Sequence, residues 1–197
     1  MPPFAVLHVC MGNICRSPMA ERLLRHAVAE RVGDRVDELI LSQSAGTGGW
    51  HAGEEMNPPA AREIRRRGGD DAGFAARKLR AEYLDGADLI LTATAEQVDY
   101  VLGLRPDAAE RTFVYGEFGR LLPAVDTAAL PPPAPAADAV FARGVALVQA
   151  VDAARAGQPP RPEDELDDPW GRGPSFFSRV ADEITATVQP LAAVLLE

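Results

Sequence analysis

The segment Cys10-Met11-Gly12-Asn13-Ile14-Cys15-Arg16-Ser17-Pro18 concentrates the residues best suited to chemistry. A cysteine is followed, after five residues, by an arginine. Between a strand and a helix start, such spacing builds an anion cradle. The N–H groups of Met11, Gly12, Asn13, Ile14 and Cys15 can turn inward, and the helix N-terminus adds positive potential. Arg16 offers a planar fork that matches two phosphoryl oxygens. Cys10 sits at the base, where the same field favours thiolate over thiol. A thiolate facing a bound phosphoryl group is a nucleophile aimed at phosphorus. Gly12 and Asn13 suit backbone angles that most residues avoid. The Ser17 hydroxyl can donate to the Cys10 sulfur. A Cys-x5-Arg spacing also arises by chance, and cysteine is often only a small buried hydrophobe. The placement between strand and helix favours the catalytic reading.

A thiolate that displaces an alkoxide or phenoxide gains from a general acid. Candidates lie far along the chain, in Asp164-Glu165-Leu166-Asp167-Asp168-Pro169-Trp170-Gly171. The plain reading is an acidic surface loop before a helix. The favoured one has Asp168, held by Pro169 and beside Trp170, reaching over the cradle.

These residues need a scaffold, and the hydrophobic pattern supplies one. Phe4 to Cys10 is a nearly continuous apolar run, expected of a strand buried on both faces. Ser17-Pro18 reads as an N-cap and first helical residue. Ala20, Leu23, Leu24, Ala27 and Val28 then repeat at helical spacing. Further strands are expected at 39–44, 87–92 and 112–115, with helices at 59–67 and 95–104. Alternating strands and helices imply βαβ crossovers and a parallel α/β sheet. After Tyr115 the pattern changes. Residues 130–135 are a stiff proline-rich arm, 138–155 an added helix, and Phe177 to Leu195 the apolar stripe of a C-terminal helix that Pro190 can kink. One domain over 1–197 is expected, with an insertion at about 123–163. The stripe Ala139, Val140, Gly144, Leu147, Val148 and Val151 must bury against the domain, covering the cleft, or against a partner subunit.

Composition excludes several classes. The 197 residues are 47% hydrophobic and 25% charged, which rules out disorder across the whole chain. No apolar run approaches a membrane span. The opening Met1-Pro2-Pro3-Phe4 lacks the basic and apolar regions of a secretory signal. A net charge of −9 repels phosphate backbones, which argues against nucleic-acid binding. Two cysteines make no disulfide framework and too few ligands for a Cys-rich zinc site. Reduced thiols in a cytoplasm are expected. Arg62, Arg65, Arg66 and Arg67 read as a solvated helix face, and His8 as a satisfied core residue.

The sequence resembles the low-molecular-weight protein tyrosine phosphatases. The family's Cys-x5-Arg-Ser loop corresponds to Cys10–Ser17, and its Asp-Pro-aromatic loop to Asp168-Pro169-Trp170. Ser44-Ala45-Gly46-Thr47-Gly48-Gly49-Trp50-His51 is similar to the loop whose aromatic residue, here Trp50, walls the substrate cleft. Gly73-Phe74-Ala75-Ala76-Arg77 resembles a weaker family segment. The resemblance implies a three-layer fold: a four-stranded parallel sheet of order 2-1-3-4 flanked by helices, with a phosphate-binding loop after strand 1. It implies that Cys10 attacks phosphorus while Asp168 protonates the leaving oxygen, with Arg16 holding the equatorial oxygens and no metal or cofactor required. The implied substrate is a phosphotyrosine protein.

Departures from the family pattern bear on the substrate. Trp170 is followed by Gly171, where many relatives have a second aromatic. Asn57-Pro58-Pro59 stands for Asp-Pro-Arg, and Thr92-Ala93-Thr94 for a Met-Asp stretch. A small phosphate ester is therefore an alternative substrate. An arsenate reductase coupled to a low-molecular-weight thiol is a second alternative. The thioredoxin-linked relay of such enzymes is not available, because Cys10 and Cys15 are the only cysteines.

Overall fold

The computed structural model describes residues 1–197. The strands are β1 (Phe4–Cys10), β2 (Ile40–Gly46), β3 (Leu89–Thr92) and β4 (Thr112–Val114). All pairings are parallel, and the order is β2-β1-β3-β4. Eight helices accompany them: α1 (Arg16–Val32), α2 (Val36–Leu39), α3 (Pro58–Arg66), α4 (Ala81–Asp85), α5 (Ala95–Leu104), α6 (Tyr115–Leu121), α7 (Ala137–Arg155) and α8 (Pro174–Leu196). The expected sheet is thus the observed one. β1 lies at its centre, and all but one of its residues are buried, as a doubly covered strand requires. The main core runs from β1 through α1, α7 and α8. A smaller one lies on the other side of the sheet around Leu7, Leu84, Ile90 and Val101.

Several boundaries differ from those expected, for local reasons. Helix α1 begins at Arg16, with Cys15 as its cap residue. Ser17 does not cap it, because its hydroxyl is turned toward Cys10 and Asn13. Pro18 falls within the first turn, where a missing N–H costs no helical hydrogen bond. β2 runs on to Gly46, since Ala45 and Gly46 stay in register with Val9 and Cys10. Tyr115 opens α6 instead of closing β4, and Glu117 accepts from the Val114 N–H at that junction (3.1 Å). Neither α4 nor α6 is evident from the pattern. Pro190 lies inside α8, which continues to Leu196.

Arg67 also departs from its expected solvated role. It joins α3 to α8, donating to the Ser178 carbonyl (3.1 Å) and pairing with Glu63 and Asp182. Arg65 pairs with Asp71, and Arg66 stays exposed.

Helix α7 buries Val140, Gly144, Leu147, Val148 and Val151 against the body of the molecule. Gly144 meets the Phe4 ring so closely that a Cβ would stand 2.5 Å from it. Phe4 is at the amino end of β1, whereas Cys10 is at the carboxyl end. The stripe therefore packs on the body, as one of the two expectations held, but at the end of β1 away from the cradle.

Candidate active site

A cavity of about 220 Å³ opens at the carboxyl end of β1, lined by Cys10, Met11, Gly12, Ile14, Cys15, Arg16, Trp50, His51, Asp168 and Trp170. This placement is general for open parallel sheets, whose loops at the carboxyl ends of the strands form the crevice. The sequence segments around 10, 50 and 168, far apart in the chain, meet here. None of the residues 123–163 lines the cavity, so the expected cover over the cleft is not present. The reason is the seat of α7 at the opposite end of β1.

The cradle is buried and short of acceptors. Cys10, Ile14, Cys15, Arg16 and Ser17 are all buried. The backbone N–H groups of Met11, Gly12, Ile14, Cys15, Arg16 and Ser17 find no acceptor within the protein. Buried N–H groups are nearly always paired, so such a ring points to an anion that pairs them. The Arg16 Nε is likewise buried and unpartnered. Its other nitrogens are placed: Nη1 donates to the Leu166 carbonyl (3.0 Å), and Nη2 lies 3.4 Å from Asp168 Oδ2.

Asn13 organises the loop. It takes a left-handed conformation, φ +55°, which asparagine tolerates better than most residues. Its Oδ1 accepts from the Arg77 N–H (2.8 Å), and its Nδ2 donates to Ser17 Oγ and Ser44 Oγ (2.9 Å each). Ser17 therefore accepts from Asn13 and keeps its own proton for the Cys10 sulfur, 2.9 Å away. The Asn13 N–H also points to that sulfur (3.3 Å). Ser44 donates onward to Glu21 Oε2 (2.5 Å). Burial pushes the Glu21 carboxyl up, against the opposing effect of that hydroxyl. Ser44, Glu21 and Arg77 thus support the cradle from outside its sequence. Gly46 closes it from below: a Cβ there would stand 2.7 Å from the Met11 carbonyl oxygen.

The two cysteines differ sharply. Cys10 faces the cavity and accepts hydrogen bonds from two directions. Burial pushes the Cys15 thiol up to about 12, with Cys10 and Asp168 adding to the effect. At neutral pH Cys15 is a protonated thiol, buried yet reaching the cavity wall. Both are free thiols.

Adjacent carboxylates also part company. Asp168 lines the cavity, half exposed, and accepts from the Trp170 N–H (3.1 Å). Asp167 faces outward and pairs with Arg179 (2.7 Å). Trp50 and Trp170 line the cavity, each 64% exposed, so both present aromatic surface to a ligand. Gly48 makes room for the Trp50 ring, since a Cβ there would overlap it. His51 also lines the cleft, with Nδ1 held by Glu54 (2.7 Å). His8 lies in the core below, bonded to Tyr115 and Ser42, and burial lowers it to about 3. No group of three or more His, Cys, Asp or Glu is arranged to hold a metal ion.

Residues 5–152 match the family model described as low molecular weight phosphotyrosine protein phosphatase. A low molecular weight protein-tyrosine-phosphatase of Bacillus subtilis is 39% identical over 94 residues, which are 48% of this chain and 58% of that protein. A low molecular weight phosphotyrosine protein phosphatase of Schizosaccharomyces pombe is 34% identical over 57% of this chain and 71% of its own length. The chain thus spans little more than half of the Bacillus relative. Among solved structures, the Erwinia amylovora tyrosine phosphatase amsI superposes with a TM-score of 0.63 at 22% identity, covering 94% of this chain and 89% of the other. The YwlE arginine phosphatase of Geobacillus stearothermophilus gives 0.65 at 22% identity, over 97% and 92%. At these identities the structures speak for the fold. The family match stops short of Asp168, whose place in the site rests on geometry.

Proposed function

Since the chain belongs to the low molecular weight phosphotyrosine protein phosphatase family, a family of cysteine-dependent phosphatases, we propose that it hydrolyses phosphotyrosine in proteins through a cysteinyl-phosphate on Cys10. The observation that carries this reading is the ring of unpaired N–H groups and the free Arg16 Nε around the Cys10 sulfur, with Asp168 opposite. The phosphoryl group sits on those donors. The Cys10 thiolate attacks phosphorus in line, an S–P bond forms and the P–O bond to the phenol breaks. Asp168 delivers its proton to the departing oxygen. Water then attacks the same phosphorus, Asp168 takes a proton from it, and the S–P bond breaks. The Ser17 hydroxyl stabilises the leaving thiolate. Arg16 and the amides meet the equatorial oxygens best in the transition state, which is where such donors accelerate a reaction.

Trp50 and Trp170 support an aryl ester as the substrate, because both expose aromatic surface beside the cavity that holds Cys10. We read residues 1–197 as one domain in which 123–163 is an insertion, since α7 shares the main core. A reducing cytoplasm suits a nucleophile that must remain a free thiol, and both cysteines are free. No helix is long and apolar enough to cross a membrane.

The test is turnover on a panel of phosphotyrosine peptides, phosphoserine peptides and small phosphorylated metabolites, beside arsenate reduction with a low-molecular-weight thiol. Phosphotyrosine peptides should give the highest kcat/KM. Preference for a small ester would change the substrate, and arsenate reduction without phosphatase activity would overturn the reaction.

A further inference from the structure

The acid loop has an unusual distribution of anchors. Asp168 is half exposed, and its contact with Arg16 is long, at 3.4 Å. Nothing else outside its own turn holds the carboxyl group. The preceding residues, by contrast, are tied to three separate elements. Asp164 is almost fully buried and takes a two-pronged grip from Arg120 on α6, Nε at 3.1 Å and Nη2 at 2.8 Å. It also accepts from the Arg161 N–H (2.8 Å). Glu165 Oε1 accepts from the Ala95 N–H at the start of α5 (2.8 Å). The Leu166 N–H donates to the Ala93 carbonyl just after β3 (2.8 Å). Gly116 lets α6 come close, because a Cβ there would stand 2.6 Å from the Asp164 carbonyl oxygen.

From these contacts we infer that the Arg120–Asp164 pair is a positioning device for catalysis, fixing the acid loop so that Asp168 stands over the cradle. The inference rests on the assignment of Asp168 as general acid. Only Asp167 separates the anchored Leu166 from Asp168, so the placement of the acid is inherited from the anchor. The Leu166 carbonyl receives Arg16 Nη1, but Leu166 keeps its own tie to the Ala93 carbonyl, so the guanidinium does not depend on the Arg120 grip. A bidentate arginine–carboxylate pair fixes direction as well as distance, unlike a lysine contact. Proton transfer to a leaving oxygen is sensitive to misplacement on the scale of an ångström. Burial pushes the Asp164 carboxyl up, but the Arg120 contact and the Arg161 N–H outweigh it and hold the group below the usual range. The pair therefore stays charged across the neutral and mildly acid range.

The experiment measures kcat/KM, which reports formation of the cysteinyl-phosphate, for phenyl phosphate and for dinitrophenyl phosphate. The dinitrophenolate leaves without a proton, so only the phenyl ester needs the acid. Arg120→Ala should lower the phenyl ester about tenfold and the dinitrophenyl ester less than about twofold. Arg120→Lys should fall between Arg120→Ala and wild type, and gives the same reading should Arg120→Ala fail to fold. Added to Asp168→Asn, the Arg120 change should cost nothing further, because the two residues act through one proton. Inhibition by inorganic phosphate should be unchanged, showing an intact cradle. Equal losses on both esters, an additive double variant or no loss would overturn the positioning role. If Asp168→Asn itself treated the two esters alike, the acid assignment would fall, and the positioning role with it.

Discussion

The cradle and the acid loop face each other across one cavity, yet they are built in opposite ways. The cradle is eight consecutive residues, Cys10 to Ser17, at the junction of β1 and α1, and all of them but Met11 and Gly12 are buried. Its polar groups are fixed by a network that converges on Asn13. The acid loop is remote in sequence, and its working residue is half exposed. Its order is borrowed from α5, α6 and the end of β3 through residues 164–166. A binding surface for an anion must exclude water to make its donors strong, so burial suits it. The proton donor must meet first the leaving group and then the incoming water, so an exposed position suits it, and rigidity has to come from next door.

The largest expected effect tests the cradle. Arg16→Lys keeps a charge but loses the fork and the bond to the Leu166 carbonyl. It should lower kcat/KM on aryl phosphates by about a thousandfold, or about 4 kcal/mol. A near-wild-type rate would place the chemistry elsewhere.

Leu147→Ala separates fold from site. The residue is fully buried in the main core on α7, so its truncation should cost about 3 kcal/mol of stability by denaturant unfolding. Turnover and substrate preference of the folded fraction should not change, because α7 does not reach the cleft. Altered preference would restore the idea of a cover from the 123–163 segment.

The acid loop responds in a different way. Asp168→Asn should slow phenyl phosphate about a hundredfold, and Asp167→Asn less than about threefold. The two neighbours point in different directions, so a reversal would mean that the loop register is wrong in solution.

The smallest effect is in pH. His8 is lowered to about 3 when folded, against an ordinary value of 6.5. The unfolded chain therefore binds the proton first. Stability is unaffected above 6.5 and falls as pH drops from there toward about 3. Between about pH 7 and about pH 5 the loss assignable to His8 is about 2 kcal/mol. Chemical denaturation of His8→Gln at both pH values should show a drop smaller by that amount. An equal drop in both proteins would assign the acid sensitivity to other groups.

The same contrast governs what could be read in the sequence. The cradle was legible because its spacing is local and its flanks carry strong periodic signals: an apolar strand before it and a helical stripe after it. Sheet order followed from the resemblance, which also reinforced the choice of Asp168 among the acidic residues of 164–168. What stayed hidden is non-local. Ser44, Glu21 and Arg77 are ordinary polar residues until Asn13 brings them together. Ser17 read both as a helix cap and as a donor to the Cys10 sulfur; only the second role holds, and the Asn13 amide that fixes it was not evident. Arg120 and Asp164 are single charges whose pairing depends on α6, a helix without a clear signal of its own. The stripe on α7 showed that it must be buried, but a stripe carries no address, and the surface it found lies beside Phe4 and not over the cleft. Arg67 shows the same limit, since a run of arginines says nothing of which one will meet a neighbouring helix.

Rapid acid quench of the enzyme during turnover of an aryl phosphate, followed by peptide mass analysis, tests the central claim most directly. The account predicts one added phosphoryl group on the peptide containing Cys10, absent in Cys10→Ala and enriched when Asp168→Asn slows hydrolysis of the intermediate. A phosphoryl group on another residue, or turnover that persists in Cys10→Ala, would contradict it.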